Sequence, residues 1–266
     1  MHTDEEREVW LERLTWPEVE SALTAGRRTA IIACGAIEQH GPHLPLLVDA
    51  AHGDRLAEEV ARRLGDALVA PTIRVGVSEH HLAFPGTVSL KEETFGSVCR
   101  DYCTSLSAHG FRTLIFLPSH GGNFRPLAAM LPDLRAAAGP ECMVRAYTDL
   151  LAVVGVWQRV VEDVCGLGSR VGGHADIAES SVLMAIHPEL AHAERAEAGF
   201  APELAEDVIA RIIAQGFRTV TPNGILGDAR GMTREIGERC IAELVDELVA
   251  WCRADNASAS REATAG

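Results

Sequence analysis

The chain has 266 residues and a formal net charge of −14, from 24 lysines and arginines against 38 aspartates and glutamates. This acidic balance disfavours nucleic acids and anionic membrane surfaces as partners, because like charges repel. Hydrophobic residues make up 47% of the chain and charged residues 23%, which is typical of globular proteins and excludes extensive disorder. No uncharged apolar stretch of about 18 residues is present, and no apolar leader follows Met1. We therefore expect a cytoplasmic protein.

Short apolar segments alternate with longer amphipathic segments along the chain. Strands are predicted at Thr29–Cys34, Ala67–Val75, Thr113–Leu117 and Met143–Tyr147. Helices are predicted at Asp49–Leu64, Glu92–His109, Phe124–Ala138, Asp176–Ile186, Ala191–Phe217 and Thr233–Cys252. This alternation is typical of an α/β fold with a mostly parallel sheet covered by helices. Residues 1–252 are expected to form one domain, and the small, polar segment 253–266 is expected to be disordered.

The loop after the first predicted strand concentrates acidic and imidazole side chains. Glu38, His40, His43 and Asp49 lie among the glycines and prolines of residues 35–49. Carboxylate oxygens and imidazole nitrogens are ligands of zinc, manganese and iron, and a carboxylate such as Asp49 can bridge two ions. The loop therefore predicts a divalent metal site, with an ordinary polar surface loop as the alternative.

Three further loops carry histidines beside glycine or acidic residues. Loops at the carboxyl ends of strands in an open α/β sheet share one crevice, so these side chains should approach the first loop. Acidic residues in a first helical turn also suit the helix dipole, but that explanation does not account for a histidine directly upstream. The residues concerned are His81, His120, His174 and Glu179.

Four segments, in this order, resemble the creatininase (creatinine amidohydrolase) family. The resemblance extends from about Arg28 to about Gly237, and it implies a three-layer α/β/α sandwich with a mostly parallel central sheet. It also implies a centre of one or two metal ions, hydrolysis of a carbon–nitrogen bond in a non-peptide amide, and a homo-oligomer, commonly a hexamer. The segments are Glu38-Gln39-His40-Gly41-Pro42-His43-Leu44-Pro45 with Asp49, His81 with Phe84-Pro85-Gly86-Thr87, Ser119-His120-Gly121-Gly122-Asn123, and His174 with Glu179-Ser180-Ser181.

The resemblance implies roles for individual residues. Glu38, His40, Asp49 and His120 fall at metal-ligand positions, and Asp49 would bridge the ions if two are present. His174 falls at the position of a histidine that moves protons. Zn²⁺ is the expected ion, with Mn²⁺ or Fe²⁺ as alternatives.

The sequence departs from creatininase itself at informative positions. Gly121 and Gly122 stand where that enzyme has a tyrosine and a ligand glutamate, and Glu179 is the best replacement for the missing ligand. The tryptophans that close over creatinine fall at Thr148 and Arg170, which argues against creatinine as the substrate. The His-Gly-Gly-Asn segment instead resembles the branch of the family that contains the mycofactocin peptidase and a formamide deformylase.

The sequence therefore predicts a metal-dependent amidohydrolase that cleaves a small cyclic or related amide with a water activated by the metal. His174 and Glu179 are the predicted catalytic residues, and His81, Asn123 and Ser78 are predicted to contact the substrate. One alternative is a peptidase or formamide deformylase in a biosynthetic pathway. Another is a non-catalytic module in which the metal organises an oligomer. A serine or cysteine nucleophile is disfavoured, because the chain has no G-x-S-x-G elbow.

Overall fold

The computed structural model describes residues 7–201 and 206–263, and it describes side chains throughout these ranges except at 206, 207, 209 and 255–263. The helices are α1 (Trp16–Thr24), α2 (Val48–Leu64), α3 (Glu92–Ala108), α4 (Gly121–Ala138), α5 (Leu150–Cys165), α6 (Ile177–Ile186), α7 (Glu206–Gln215) and α8 (Arg234–Ala263). The strands are β1 (Thr29–Cys34), β2 (Ala67–Val69), β3 (Thr113–Pro118), β4 (Met143–Ala146), β5 (Val171–His174) and β6 (Leu226–Gly227).

The central sheet has the strand order β2-β1-β3-β4, and every neighbouring pair in it is parallel. Strands β1 and β3 are in register from Thr29 opposite Thr113 to Cys34 opposite Pro118. Because both strands end at the same level, the loops that follow them begin side by side. The short strands β5 and β6 form a separate antiparallel sheet.

The central sheet lies between two layers of helices. Alternate β1 residues such as Ile31 and Ala33 belong to the hydrophobic core that includes residues of α2, α5, α6 and α8, while Ile32 and Cys34 belong to the core that includes residues of α1, α3 and α4. Both faces of β1 are fully buried, which explains its uninterrupted apolar sequence. The predicted three-layer α/β/α fold is confirmed.

Several predicted boundaries are wrong for identifiable reasons. Strand β2 ends at Val69 rather than Val75, shortly before Pro71, which has no N–H to donate to a sheet. The single helix predicted at Ala191–Phe217 is also wrong, because residues 198 and 200 form bridges with Asp228 and Leu226 and the backbone there is extended. Gly199 permits this close pairing, since a Cβ at that position would lie 2.1 Å from the Ile225 carbonyl oxygen.

The last helix, α8, continues to Ala263. Side chains from 255 onward lie outside the described residues, so the expected disorder of 253–266 stays a prediction. Among the helices that the structure describes, none is both long and apolar enough to cross a lipid bilayer.

Candidate metal centre

The candidate metal-binding side chains come from four places that the fold brings together. Glu38 and His40 lie in the loop after β1, and Asp49 lies in the first turn of α2. His120 is the residue before the first turn of α4, two positions after the end of β3, and Glu179 lies in the first turn of α6. All five side chains are buried. The structure therefore brings together every residue that the sequence analysis predicted as a ligand.

These residues form overlapping clusters whose ligand atoms lie within 4.8 Å of one another. One cluster contains Glu38, Asp49 and His120, and a second contains His40, Asp49 and Glu179. A third combines Glu38 and His40 with His174. Because Asp49 belongs to the first two clusters, the arrangement matches a pair of ion positions with one shared carboxylate.

The two oxygens of Asp49 face different histidines. Asp49 Oδ1 lies 3.5 Å from His40 Nε2, and Asp49 Oδ2 lies 3.5 Å from His120 Nδ1. His40 Nε2 is also 3.5 Å from Glu179 Oε2, and His120 Nδ1 is 3.3 Å from Glu38 Oε1. Two ions in this arrangement would each have an imidazole, a separate carboxylate and one oxygen of Asp49 within reach.

Backbone carbonyls fix which nitrogen of each histidine faces the centre. His40 Nδ1 donates to the Glu38 carbonyl at 3.1 Å, and His120 Nε2 donates to the Val77 carbonyl at 2.9 Å. The opposite nitrogens, His40 Nε2 and His120 Nδ1, are then left with their lone pairs directed at the acids. Metal-binding histidines commonly have such a second hydrogen bond, which orients the ring.

The centre contains buried polar atoms that have no hydrogen-bond partner among the described residues. They include both carboxylate oxygens of Glu38, Oδ2 of Asp49 and Nε2 of His40. Leaving buried polar or charged atoms unpaired is costly, so a bound cation is the natural partner for these atoms. The donor set of carboxylate oxygens and imidazole nitrogens fits zinc, manganese or iron.

The electrostatics of the centre favour positive charge. Burial alone would lower the pKa of His40, but attraction from Glu179 and Asp49 outweighs burial and raises it well above the ordinary value. The pKa of His120 is likewise raised against burial by Glu38 and Asp49. The pKa of Asp49 falls because the two histidines oppose the effect of its burial. The buried acids therefore favour positive charge on these two histidines.

Glu179 is positioned by the turn that precedes α6. Asp176 Oδ1 accepts hydrogen bonds from the backbone N–H groups of Ala178 and Glu179, so this carboxylate caps the helix. Ala175 has a positive φ of 51°, which is uncommon for a residue other than glycine. Its N–H donates to Glu179 Oε2 at 2.5 Å. The strained turn thus orients the Glu179 carboxylate and places His174 immediately before it.

His174 and His81 both border Glu38. His174 Nδ1 lies 3.8 Å from Glu38 Oε1 and 3.9 Å from Glu179 Oε2, and His81 Nε2 lies 3.2 Å from Glu38 Oε1. Burial, reinforced by the charge of His40, lowers the pKa of His174 to about 3. Burial also lowers the pKa of His81 well below its ordinary value. Both rings are therefore neutral near pH 7.

The structure places Ser78 and Asn123, both predicted to contact substrate, behind the ligands. Ser78 Oγ lies 3.3 Å from His120 Nε2, on the side of the ring that faces away from the acids. Asn123 donates both amide hydrogens to the carbonyls of Cys34 and Gly35, and its Oδ1 accepts from the Val77 N–H, each at 3.0 Å. These hydrogen bonds support the loops around the centre, and the predicted substrate contact of Ser78 and Asn123 stays a prediction.

Two residues at the centre were not singled out by sequence reasoning. Gln39 contacts His81 and His174, and its only signal was its place between Glu38 and His40. Phe217 packs on His81 with ring centroids 4.0 Å apart and on His174 at 4.9 Å, although it is distant in sequence. An isolated phenylalanine has no local pattern that would identify this role.

The two glycines of the His120 loop differ in the space around them. A Cβ on Gly122 would lie 2.2 Å from the Val77 carbonyl oxygen and 2.4 Å from His120 Nε2. A Cβ on Gly121 would meet its nearest atom, on Leu150, at 3.9 Å. The backbone of this loop therefore has no room for a side chain at 122.

Comparison with known proteins identifies relatives over nearly the whole chain. The creatininase family profile, described as creatinine amidohydrolase, matches residues 12–252. A mycofactocin precursor peptide peptidase from Mycobacterium ulcerans is 32% identical over 245 residues, which cover 88% of this chain and 84% of the relative. A creatinine amidohydrolase from Pseudomonas putida is 29% identical over 262 residues, which cover 91% and 96% of the two chains.

Solved structures agree with this family assignment. A mutant creatininase described as the Zn-Zn type has a TM-score of 0.74 and 26% identity to this chain, and covers 94% of this chain and 99% of its own. A structure described as creatininase Mn has a TM-score of 0.73 and 27% identity at the same coverages. Zinc and manganese thus occur in relatives whose fold matches that of this chain.

Proposed function

Because the chain belongs to the creatininase family of hydrolases, we propose that it is a metal-dependent amidohydrolase acting on a carbon–nitrogen bond of a non-peptide amide. A small cyclic amide or a related amide is the proposed substrate. Thr148 and Arg170 stand at the positions where, by resemblance, creatininase has the tryptophans that close over creatinine, which supports a substrate other than creatinine.

The shared carboxylate of Asp49 is the observation that carries this proposal. Its two oxygens are each 3.5 Å from a different histidine, and each histidine has a further acid beside it. We propose that Glu38, Asp49 and His120 hold one divalent ion and that His40, Asp49 and Glu179 hold a second. A structural site closes its coordination with four protein ligands, whereas three at each position leave room for water and substrate. This count favours an enzyme over a metal-organised, non-catalytic module.

The ions and the side chains around them would have different roles in hydrolysis. Bound divalent ions acidify water and polarise a carbonyl group. His174, neutral because it is buried, has a nitrogen near Glu38 and Glu179 with which to accept a proton and return it to the leaving nitrogen. Phe217 covers His81 and His174 and limits the access of bulk water.

Reconstitution of the purified, metal-stripped protein tests the proposal. Zn²⁺, Mn²⁺ or Fe²⁺ is added back, bound metal is measured by elemental analysis, and hydrolysis is assayed on cyclic amides, imides, formamides and short peptides. We expect turnover only with metal, and loss of both metal and turnover in Glu38→Gln. The exposed Glu93→Gln variant is the matched control. A protein that is inert with every ion, or equally active without one, would refute the proposal.

A peptidase is the second candidate function, and two observations favour it. The 32% identical relative is named as a peptidase that acts on a precursor peptide. Leu150 and Leu151, at the start of α5, are 38% and 82% exposed, and Leu150 lies beside Gly121 of the His120 loop. An apolar rim of this kind suits a substrate with hydrophobic side chains. The same assay panel decides the question, because a peptidase would cleave short peptides with a higher kcat/KM than small amides.

The proposed homo-oligomer, a hexamer by resemblance to the family, is tested separately by light scattering of the purified protein. A single monomeric species over a range of concentrations would refute it.

A further inference from the structure

We propose that Gln39 is a positioning residue that makes His81 and His174 present opposite hydrogen-bonding atoms to the centre. His81 presents an N–H group, and His174 presents a bare ring nitrogen. The inference rests on the proposed function and deepens it, because it assigns a donor and an acceptor for the proton transfers of hydrolysis.

Two backbone groups fix the orientation of the Gln39 amide. Its Oε1 accepts a hydrogen bond from the Gly41 N–H at 3.0 Å, and its Nε2 donates to the Gly224 carbonyl at 3.0 Å. A backbone N–H can only donate and a carbonyl can only accept, so the oxygen and nitrogen of this amide cannot be exchanged. Gly224 also packs closely, since a Cβ there would lie 1.8 Å from Gln39 Oε1.

The fixed amide determines where the proton of His81 lies. His81 Nδ1 is 3.0 Å from Gln39 Nε2, and an amide nitrogen can only donate. His81 Nδ1 must therefore accept, which leaves the proton of the neutral ring on Nε2. This nitrogen lies 3.2 Å from Glu38 Oε1 and so faces the centre. Stacking against Phe217, with centroids 4.0 Å apart, holds the ring in this orientation.

The backbone of Gln39 determines the proton of His174 in the same way. His174 Nε2 lies 2.9 Å from the Gln39 carbonyl oxygen, so this nitrogen must carry the hydrogen. The Gln39 amide nitrogen is also 2.9 Å from His174 Nε2. We assign the two amide hydrogens to Gly224 and His81, because a His174 Nε2 that donates to the Gln39 carbonyl cannot also accept from the Gln39 amide. The bare Nδ1 of His174 is the atom that faces Glu38 and Glu179.

The two rings thus have the same tautomer but point different atoms at the centre. His174 Nδ1 can accept a proton without first losing one, and His81 Nε2–H can donate to a substrate carbonyl or to the departing nitrogen. If the His81 proton moved from Nε2 to Nδ1, both His81 Nε2 and His174 Nδ1 would face Glu38 as acceptors. Neither neutral ring could then donate a hydrogen bond at the centre.

Nuclear magnetic resonance of the metal-free, ¹⁵N-histidine-labelled protein tests this assignment. Long-range ¹H–¹⁵N correlation spectra distinguish a protonated from a bare ring nitrogen, and His81→Asn and His174→Asn identify the signals. We expect Nε2–H and bare Nδ1 for both rings in the wild type. In Gln39→Met, which removes the side-chain donor, His81 should change to a mixture of tautomers while His174 keeps Nε2–H. In Gln39→Glu, the His81 proton should move to Nδ1.

The exposed Gln158→Glu variant is the control for the charge change and should leave both signals unmoved. If Gln39→Glu does not fold, Gln39→Met still decides the question. Nδ1–H at His81 in the wild type, or an unchanged His81 signal in folded Gln39→Met, would overturn the inference. This result is independent of the proposed function. A protein without hydrolase activity that has the expected tautomers would refute only the proposed function. An active amidohydrolase with Nδ1–H at His81 would refute only the role of Gln39.

Discussion

Replacing Glu179 by glutamine should remove one ion position and spare the other. Glu179 belongs to the cluster with His40 and Asp49, whereas the cluster of Glu38, Asp49 and His120 does not include it. Glutamine keeps the shape of the side chain and an acceptor for the Ala175 N–H, which Glu179 Oε2 accepts at 2.5 Å. The substitution therefore removes a charge with little change in local structure.

The expected loss of affinity follows from the burial of the pair. Removing one partner of a buried charge pair costs roughly 3–5 kcal/mol. Since 1.36 kcal/mol corresponds to a factor of ten, affinity at the second position should fall about 10²- to 10⁴-fold. Titration of the stripped protein with Zn²⁺ or Mn²⁺, followed by elemental analysis, should give two ions per chain for the wild type and one for Glu179→Gln.

Glu93→Gln is the matched control, because Glu93 is exposed in the first turn of another helix, α3. It should bind two ions with unchanged affinity. A Glu179→Gln protein that retains both ions at wild-type affinity would exclude Glu179 as a ligand and would leave the second position without its third protein group.

Three further predictions concern the groups that support the centre. Gly122→Ala should displace His120 and lower both the metal content and the thermal stability of the protein. Gly121→Ala has open space around the added methyl group, so its free energy of unfolding in urea should stay within about 1 kcal/mol of the wild type. Equal effects of the two changes would contradict the packing argument. Asn123→Ala should lower the free energy of unfolding by about 3 kcal/mol, because it leaves buried backbone groups without hydrogen-bond partners. A loss of activity with unchanged stability would instead indicate that Asn123 contacts the substrate. Because the pKa values of His40 and His120 are raised, the metal-free native state keeps protons that unfolded histidines release above about pH 6.5, so its stability should fall as the pH rises through and above that value. Saturating metal should reverse this trend. A stability of the metal-free protein that rises between about pH 6.5 and pH 9 would show that the acids do not hold these protons.

The fold could be predicted because its central strands are buried on both faces. Thr29–Cys34 is apolar along its length, and its predicted boundaries agree with β1. Strands β5 and β6 were not predicted, since they are short, glycine-rich and paired across a long sequence separation. Helices α1 and α5 were also missed.

The sequence predicts those residues of the candidate centre that have metal-binding side chains and also lie in loops after strands. Glu38, His40, Asp49 and His120 follow strands β1 and β3, whose parallel pairing makes their loops neighbours. The sequence could not separate supporting residues from contacting ones. Asn123 and Ser78 have the same side-chain chemistry in either role. The structure adds their hydrogen-bond partners within the protein, so their contact with substrate stays a prediction.

The crowded backbone at Gly122 has a consequence for how such proteins can diversify. If Glu179 supplies from α6 the carboxylate that the resemblance to creatininase would place at Gly122, then the loop after β3 has to provide only His120 to the metal centre. The neighbouring wall, formed by Gly121 and the exposed start of α5, can then change in shape while the ions stay where they are. New substrates would become accessible by remodelling that wall alone, with the reactive machinery inherited unchanged.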